Sequence, residues 1–182
     1  MNKIKTKNEM PDFEAGLYDS GRNTADMAVE AVGNDPERFA HLLNICFTSS
    51  YPLNMRAARV IELSCEKNPL LILPHLNEVI EKMAKMGTGG VKRGFLKTIA
   101  NAIDFRLVKD NGTLLQQSFD WLASIKEPIS VRYYCITIIE KMCVYEPGLV
   151  PEFRSLLEFC LPESSPGLQN KALKTLKRLP KS

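Results

Sequence analysis

Apolar residues recur in this chain with a period close to 38 residues, and that recurrence constrains the fold more than any single motif. One set of positions reads Phe39, Leu76, Leu115 and Phe153. Three parallel ladders follow it: Leu42, Val79, Ser118 and Leu156; Leu43, Ile80, Phe119 and Leu157; Cys46, Met83, Leu122 and Cys160. Each steps by 37, 39 and 38, and within a segment the offsets are 0, 3, 4 and 7, one face of a helix. The intervening stretches repeat too. Ala57, Phe95, Tyr134 and Ala172 align, as do Ala58, Leu96, Cys135 and Leu173, and Ile61, Ile99, Ile138 and Leu176, with steps of 38, 39 and 38. Two sets of amphipathic segments sharing one period describe a helix–turn–helix unit. A single such unit cannot cover its own apolar faces, so neighbours must stack.

The breaks agree with this division. "NDPERF" (34–39) reads as a helix start, with Asp35 as N-cap and Pro36 in the first turn. "SSYPLN", "KNPLLILP", "GTGG", "KDNGT", "KEPIS", "YEPG" and "PESSPG" punctuate the rest. The apolar stretches between them have helix length, and no alternating run with hairpin turns predicts a sheet. Four full pairs are expected, at 35–68, 69–105, 110–146 and 147–180. Before them, "TADMAVEAVGN" (24–34) reads as the second helix of a partial capping pair, with "DFEAGLY" (12–18) as its short partner. The predicted organisation is an N-terminal, partly irregular segment at 1–22, then one domain at 23–182.

The repeats resemble HEAT repeats from about residue 24 to 180. "PISVRYYC" (128–135) is similar to the Val-Arg opening of a second HEAT helix, and "GGVKRGFL" (89–96) is a looser match. "PLNMRAA" carries Arg56 one place late, "GLQNKAL" has Asn170 at the arginine position, and Pro74 and Pro151 fall at equivalent places in first helices. The resemblance implies an all-α superhelix of about four HEAT-like pairs whose second helices line a concave surface. In such folds an arginine at the position of Arg93 and Arg132 ties neighbouring repeats together.

Chemistry-bearing motifs are sparse. The five cysteines each sit in an apolar run, their number is odd and no CxxC occurs. That pattern predicts reduced, buried thiols in a cytoplasmic protein, not a disulfide framework or a zinc site. No metal ligand set, cofactor motif or catalytic residue is predicted. His41 and His75 are off the repeat step, and the His-Glu dipeptides of HEAT-like di-iron enzymes resembling deoxyhypusine hydroxylase do not occur. No apolar run reaches membrane-spanning length, and the start of the chain has no apolar stretch of signal-peptide type.

The charge pattern is more informative. Residues 165–182 carry Lys171, Lys174, Lys177, Arg178 and Lys181 with no acid. Opposite the apolar stripe of the second helices, one rung holds Arg56, Gly94, Tyr133 and Lys171. The next holds Arg59, Lys97, Ile136 and Lys174, and a third holds Leu63, Asn101, Glu140 and Arg178. Six of these twelve positions are basic and one is acidic. The expected contact set is therefore Arg56, Arg59, Lys97, Tyr133, Lys171, Lys174 and Arg178, facing a groove. A basic groove suits an acidic peptide or protein, which makes a non-enzymatic scaffold or adaptor the leading reading. The alternative is a nucleic-acid-binding protein resembling the HEAT-like alkylpurine DNA glycosylases, since a phosphate backbone would be drawn to the same stripe. Trp121 beside Asp120 does not make a base pocket, because adjacent helix positions point about 100° apart.

Overall fold

A computed structural model describes residues 10–86, 89–108, 111–162 and 164–180. Among these residues there are ten α-helices and no strand. Helices α1 (Phe13–Gly16) and α2 (Arg22–Val32) form the partial first pair. The full pairs are α3 (Pro36–Thr48) with α4 (Leu53–Lys67), α5 (Leu76–Met83) with α6 (Gly89–Ala102), α7 (Asn111–Ala123) with α8 (Ile129–Tyr145), and α9 (Val150–Cys160) with α10 (Pro166–Arg178).

Local chemistry sets the boundaries. Gly33 closes α2 with φ +57°, a conformation that side chains with a Cβ rarely adopt. Asp35 caps α3, accepting hydrogen bonds from the backbone N–H groups of Glu37 (2.9 Å) and Arg38 (3.2 Å). The first half of the second pair is shorter than its apolar pattern predicts. Pro69 and Pro74 each lack an N–H, and the chain makes two 3₁₀ turns, Pro69–Leu71 and Leu73–His75, before α5 begins at Leu76. Pro151 instead sits in the first turn of α9, where its missing N–H costs nothing. The glycine-rich break gives a close approach. A Cβ on Gly89 would stand 2.7 Å from Cγ of Pro128, so the α6 start requires glycine there. Gly87 and Thr88 of the same break lie outside the described residues.

The chain divides into two compact units, one ending at Pro74 and the other starting at His75. In the first unit α3 packs against α4, α4 against α2, and α2 against α1. Phe39, Leu42, Leu43 and Cys46 of α3 are buried there, as are Ala57, Ala58 and Ile61 of α4 and Ala28 and Val32 of α2. Phe13 of α1 and Leu17 after it are buried too, so the short first helix closes that end. In the second unit, α5, α7 and α9 contact one another in order, and α6, α8 and α10 do the same. Two layers of helices result, with each first helix also packed on its own second helix. Helix α8 is packed by α7, α6 and α10. It buries Val131, Cys135, Ile136, Ile138, Ile139, Met142 and Cys143, which fill one broad face of the helix, and leaves Ile129, Tyr133, Val144 and Tyr145 exposed on the other.

Most ladder positions are in the core, and three departures are instructive. In α7 the first rung is filled by Leu114, fully buried, while Leu115 is half-buried; the steps there are 38 and 39. Ile136 was expected on the groove side and is 1% exposed, because α8 has neighbours on three sides. Leu173 shares a rung with Leu96 and Cys135, which are fully buried, yet is 48% exposed. Leu96→Ala should therefore cost about 2–5 kcal/mol, measured by urea unfolding, whereas Leu173→Ala should cost less than about 1 kcal/mol.

Candidate interaction surface

Positions one period apart on second helices prove to be lateral neighbours. On α8 and α10 the couples 133 and 171, 137 and 175, and 140 and 178 are each separated by 38 residues. The Glu140 carboxylate sits at the centre of this seam. It accepts hydrogen bonds from Arg178 Nε (2.7 Å) and Nη2 (2.9 Å), from Thr175 Oγ1 (3.3 Å) and from Lys171 Nζ (3.4 Å). Lys171 Nζ also stands 5.3 Å from the centroid of the Tyr133 ring. Tyr133 in turn meets Tyr134 edge-on, with centroids 5.4 Å apart. Tyr133, Lys171 and Arg178 are thus brought together, with Tyr133 still 40% exposed. Two cations share one carboxylate, so the cluster keeps a positive charge.

Burial would raise the Glu140 carboxyl, but the Arg178 hydrogen bonds and the charges of Lys171 and Arg178 outweigh it and lower it below the ordinary glutamate value. Lys171 is held below the ordinary lysine value, because burial and the nearby Arg178 charge outweigh its longer bond to Glu140. Arg178 is therefore the principal partner of Glu140. On the same helix Lys174 and Lys177 are exposed. Lys97, on α6, is half-buried.

The two arginines of the expected contact set that lie in the first unit are engaged internally. Arg56 Nη1 donates to the carbonyls of Leu17 (2.9 Å) and Tyr18 (2.8 Å), and Nε donates to Ser20 Oγ (3.3 Å). These bonds reach 36–39 residues back, into the partial first pair, and tie it to α4. Arg59 Nη1 stands 2.6 Å from Glu62 Oε1, and Glu62 is 1% exposed. Glu62 buried without a cation would be costly, so Arg59 has a structural duty.

The expected tie between repeats exists, but another residue makes it. Arg132 is 5% exposed, and its Nε donates to Leu122 O (3.0 Å) in its own helix pair, not in a neighbouring one. The cross-repeat contact comes from Lys92 on α6. Its ammonium lies 2.5 Å from Glu127 Oε1 in the α7–α8 turn and 4.5 Å from the centroid of the Trp121 ring. Lys141 of α8 adds a second tie, donating to Ala100 O of α6. Trp121 thus works as a packing surface between repeats. Nothing in the local pattern marked Lys92, because its partner is 35 residues away and off the repeat step.

The thiols are chemically quiet. All five cysteines are free and buried. Burial pushes Cys46 and Cys65 up to about 12, and raises Cys135 further. His41 packs its ring 6.1 Å from that of Phe13. Among the described residues no group of three or more His, Cys, Asp or Glu could hold a metal ion, and no helix is long and apolar enough to cross a membrane.

A family profile described as the HEAT repeat domain matches residues 18–179 of the chain. No curated protein and no solved structure matches it significantly.

Two measurements test the electrostatics. Glu140→Gln should cost about 1–3 kcal/mol at neutral pH. Because the folded-state pKa of Glu140 is lowered, its contribution is present above the ordinary glutamate range and is lost as pH falls through the folded value. Denaturation of the two proteins should therefore converge in acid. Separately, a thiol reagent at pH 8 should leave Cys46 and Cys65 unmodified in the folded protein and label them once urea unfolds it.

Proposed function

The chain belongs to the HEAT-repeat family, and on that footing we propose that it is a non-enzymatic scaffold that binds a partner protein through the second helices of its second unit. The contact set is Tyr133 on α8 with Lys171, Lys174 and Arg178 on α10, and Lys97 on α6 of the same layer. Arg56 and Arg59 hold the first unit together and play no direct part in binding. The observation that carries this reading is the ordered aromatic–cation cluster around Glu140. Tyr133 is exposed, yet Lys171 over its face and Tyr134 at its edge fix its orientation. An aromatic anchor held in place before binding loses little freedom on binding, which favours its use as a hot spot.

The charge of the face defines the partner. Helix α10 carries four basic residues and no acidic one, and Lys174 and Lys177 are exposed. The fitting partner is an acidic protein segment with an apolar residue to place against Tyr133. Buried, reduced thiols suit a reducing compartment such as the cytoplasm.

A photo-crosslinking amino acid in place of Tyr133, introduced in the native cell, should capture a specific acidic protein. Lys174→Glu combined with Lys177→Glu should weaken binding of that protein at least about tenfold. Capture that is unaffected by the charge reversals would overturn the assignment. So would tight duplex DNA binding that falls steeply with salt, since it would favour the nucleic-acid reading.

A further inference from the structure

A separate opening lies at the turns of the last two pairs, where α7 and α9 end. It is a cleft of about 350 Å³ lined by residues that include Ile125, Arg132, Glu158, Phe159 and Pro162. Its apolar residues are unusually open for their type. Ile125 is 72% and Phe159 77% exposed. Arg132 is the reverse, a cation 5% exposed that lines the same cleft.

The hydrogen bonding of Arg132 is incomplete. Its Nε donates to Leu122 O (3.0 Å), the carbonyl that Cys160 Sγ also approaches (3.7 Å). The end of α7 is thereby capped. The two terminal nitrogens of the guanidinium have no protein acceptor among the described residues. A guanidinium presents paired N–H groups that match a carboxylate in a two-bond geometry, and such pairs strengthen as water is excluded. Those two nitrogens are not sealed in the core: they stay open to solvent on a side chain that lines the cleft, and so remain available to an acceptor there.

We propose that this cleft captures the C-terminal residue of a partner polypeptide, with its free carboxylate on Arg132 and its apolar side chain between Ile125 and Phe159. A chain terminus carries a carboxylate and a side chain on one Cα. That is the juxtaposition which a single buried cation beside apolar walls can hold in so small a volume. Glu158 adds a selection rule: a negative carboxylate lining the cleft disfavours an acidic residue before the terminal one. This site is distinct from the α8–α10 face and does not depend on it.

The test uses the full-length protein and two acetylated tetrapeptides of sequence GKAL, one ending in the free acid and the other in the carboxamide. Titration followed by ¹⁵N NMR should move the signals of Arg132 Nε–Hε, Ile125 and Phe159 saturably with the acid, and the amide should bind at least about tenfold more weakly. Phe159→Ala alters an exposed side chain and should leave the fold intact while weakening the acid several-fold. Arg132→Gln should abolish the preference for acid over amide. If that variant does not fold, the acid–amide comparison and Phe159→Ala decide the matter. Equal binding of acid and amide, shifts confined to residues away from the cleft, or no saturable shift at millimolar peptide would overturn the proposal. A tetrapeptide with an internal aspartate and an amidated end that matched the free acid would overturn it too, by showing that a side-chain carboxylate suffices.

Discussion

A helix pair with one apolar stripe cannot remove that stripe from water by itself, and everything else in this protein follows from that constraint. Each pair needs a neighbour, so the chain repeats the same face every 38 residues or so. In the second unit the consequence is two layers of helices, with α8 enclosed by α6, α7 and α10. Those three neighbours explain why so broad a face of residues 129–145 is apolar and buried, and why a cluster that includes Arg132, Tyr133, Tyr134 and Cys135 comes apart into separate roles. Cys135 is core, Arg132 caps a helix end and lines a cleft, and Tyr133 alone of the four is exposed.

The same period also organises the polar chemistry. Equivalent positions in successive repeats lie side by side, so a glutamate at one rung meets an arginine one period later. Glu140 with Arg178 is the clearest case. Bonds spanning close to one period also run from Gln117 to Ile80 O, 37 residues back, and from Arg56 to Tyr18 and Leu17, 38 and 39 residues back. These bonds reduce what looked like a continuous basic stripe. Arg56 and Arg59 are committed to holding their own unit. Lys171 and Arg178 share a carboxylate. What remains is a smaller, better-ordered surface, in which the internal pairing positions an aromatic ring and leaves net positive charge. Such a surface suits selective protein recognition better than diffuse attraction.

The two proposed contact regions of the second unit use different physics. The α8–α10 face offers charge and one fixed aromatic on a helical surface. The cleft at the turns offers a single buried guanidinium beside open apolar side chains. Both depend on packed helices for their geometry, one on a regular rung of the second helices that holds Tyr133, the other at the turns around Ile125 and Phe159.

Much of this architecture was legible in the sequence because it is local and periodic. The 3.6-residue pattern located the helices, the 38-residue step grouped them in pairs, and Asp35 and Pro36 marked a helix start for reasons confined to a few neighbouring atoms. Even the Glu140–Arg178 couple could be read from its spacing, since a shared rung means lateral adjacency. Tertiary structure decided the rest. The sides of a second helix that meet other second helices depend on how each helix is rotated within the stack, so Ile136 is buried and Leu173 is not. Lys92 met Glu127 and Trp121 because a turn brought them there, off the repeat step. Arg132 chose Leu122 O over a neighbouring repeat for the same reason. By itself, then, the sequence determined which residues are helical and which must be covered. Only the packed chain decided which cations pair within the protein, because pairing of charges is settled by distances between segments that no local pattern encodes.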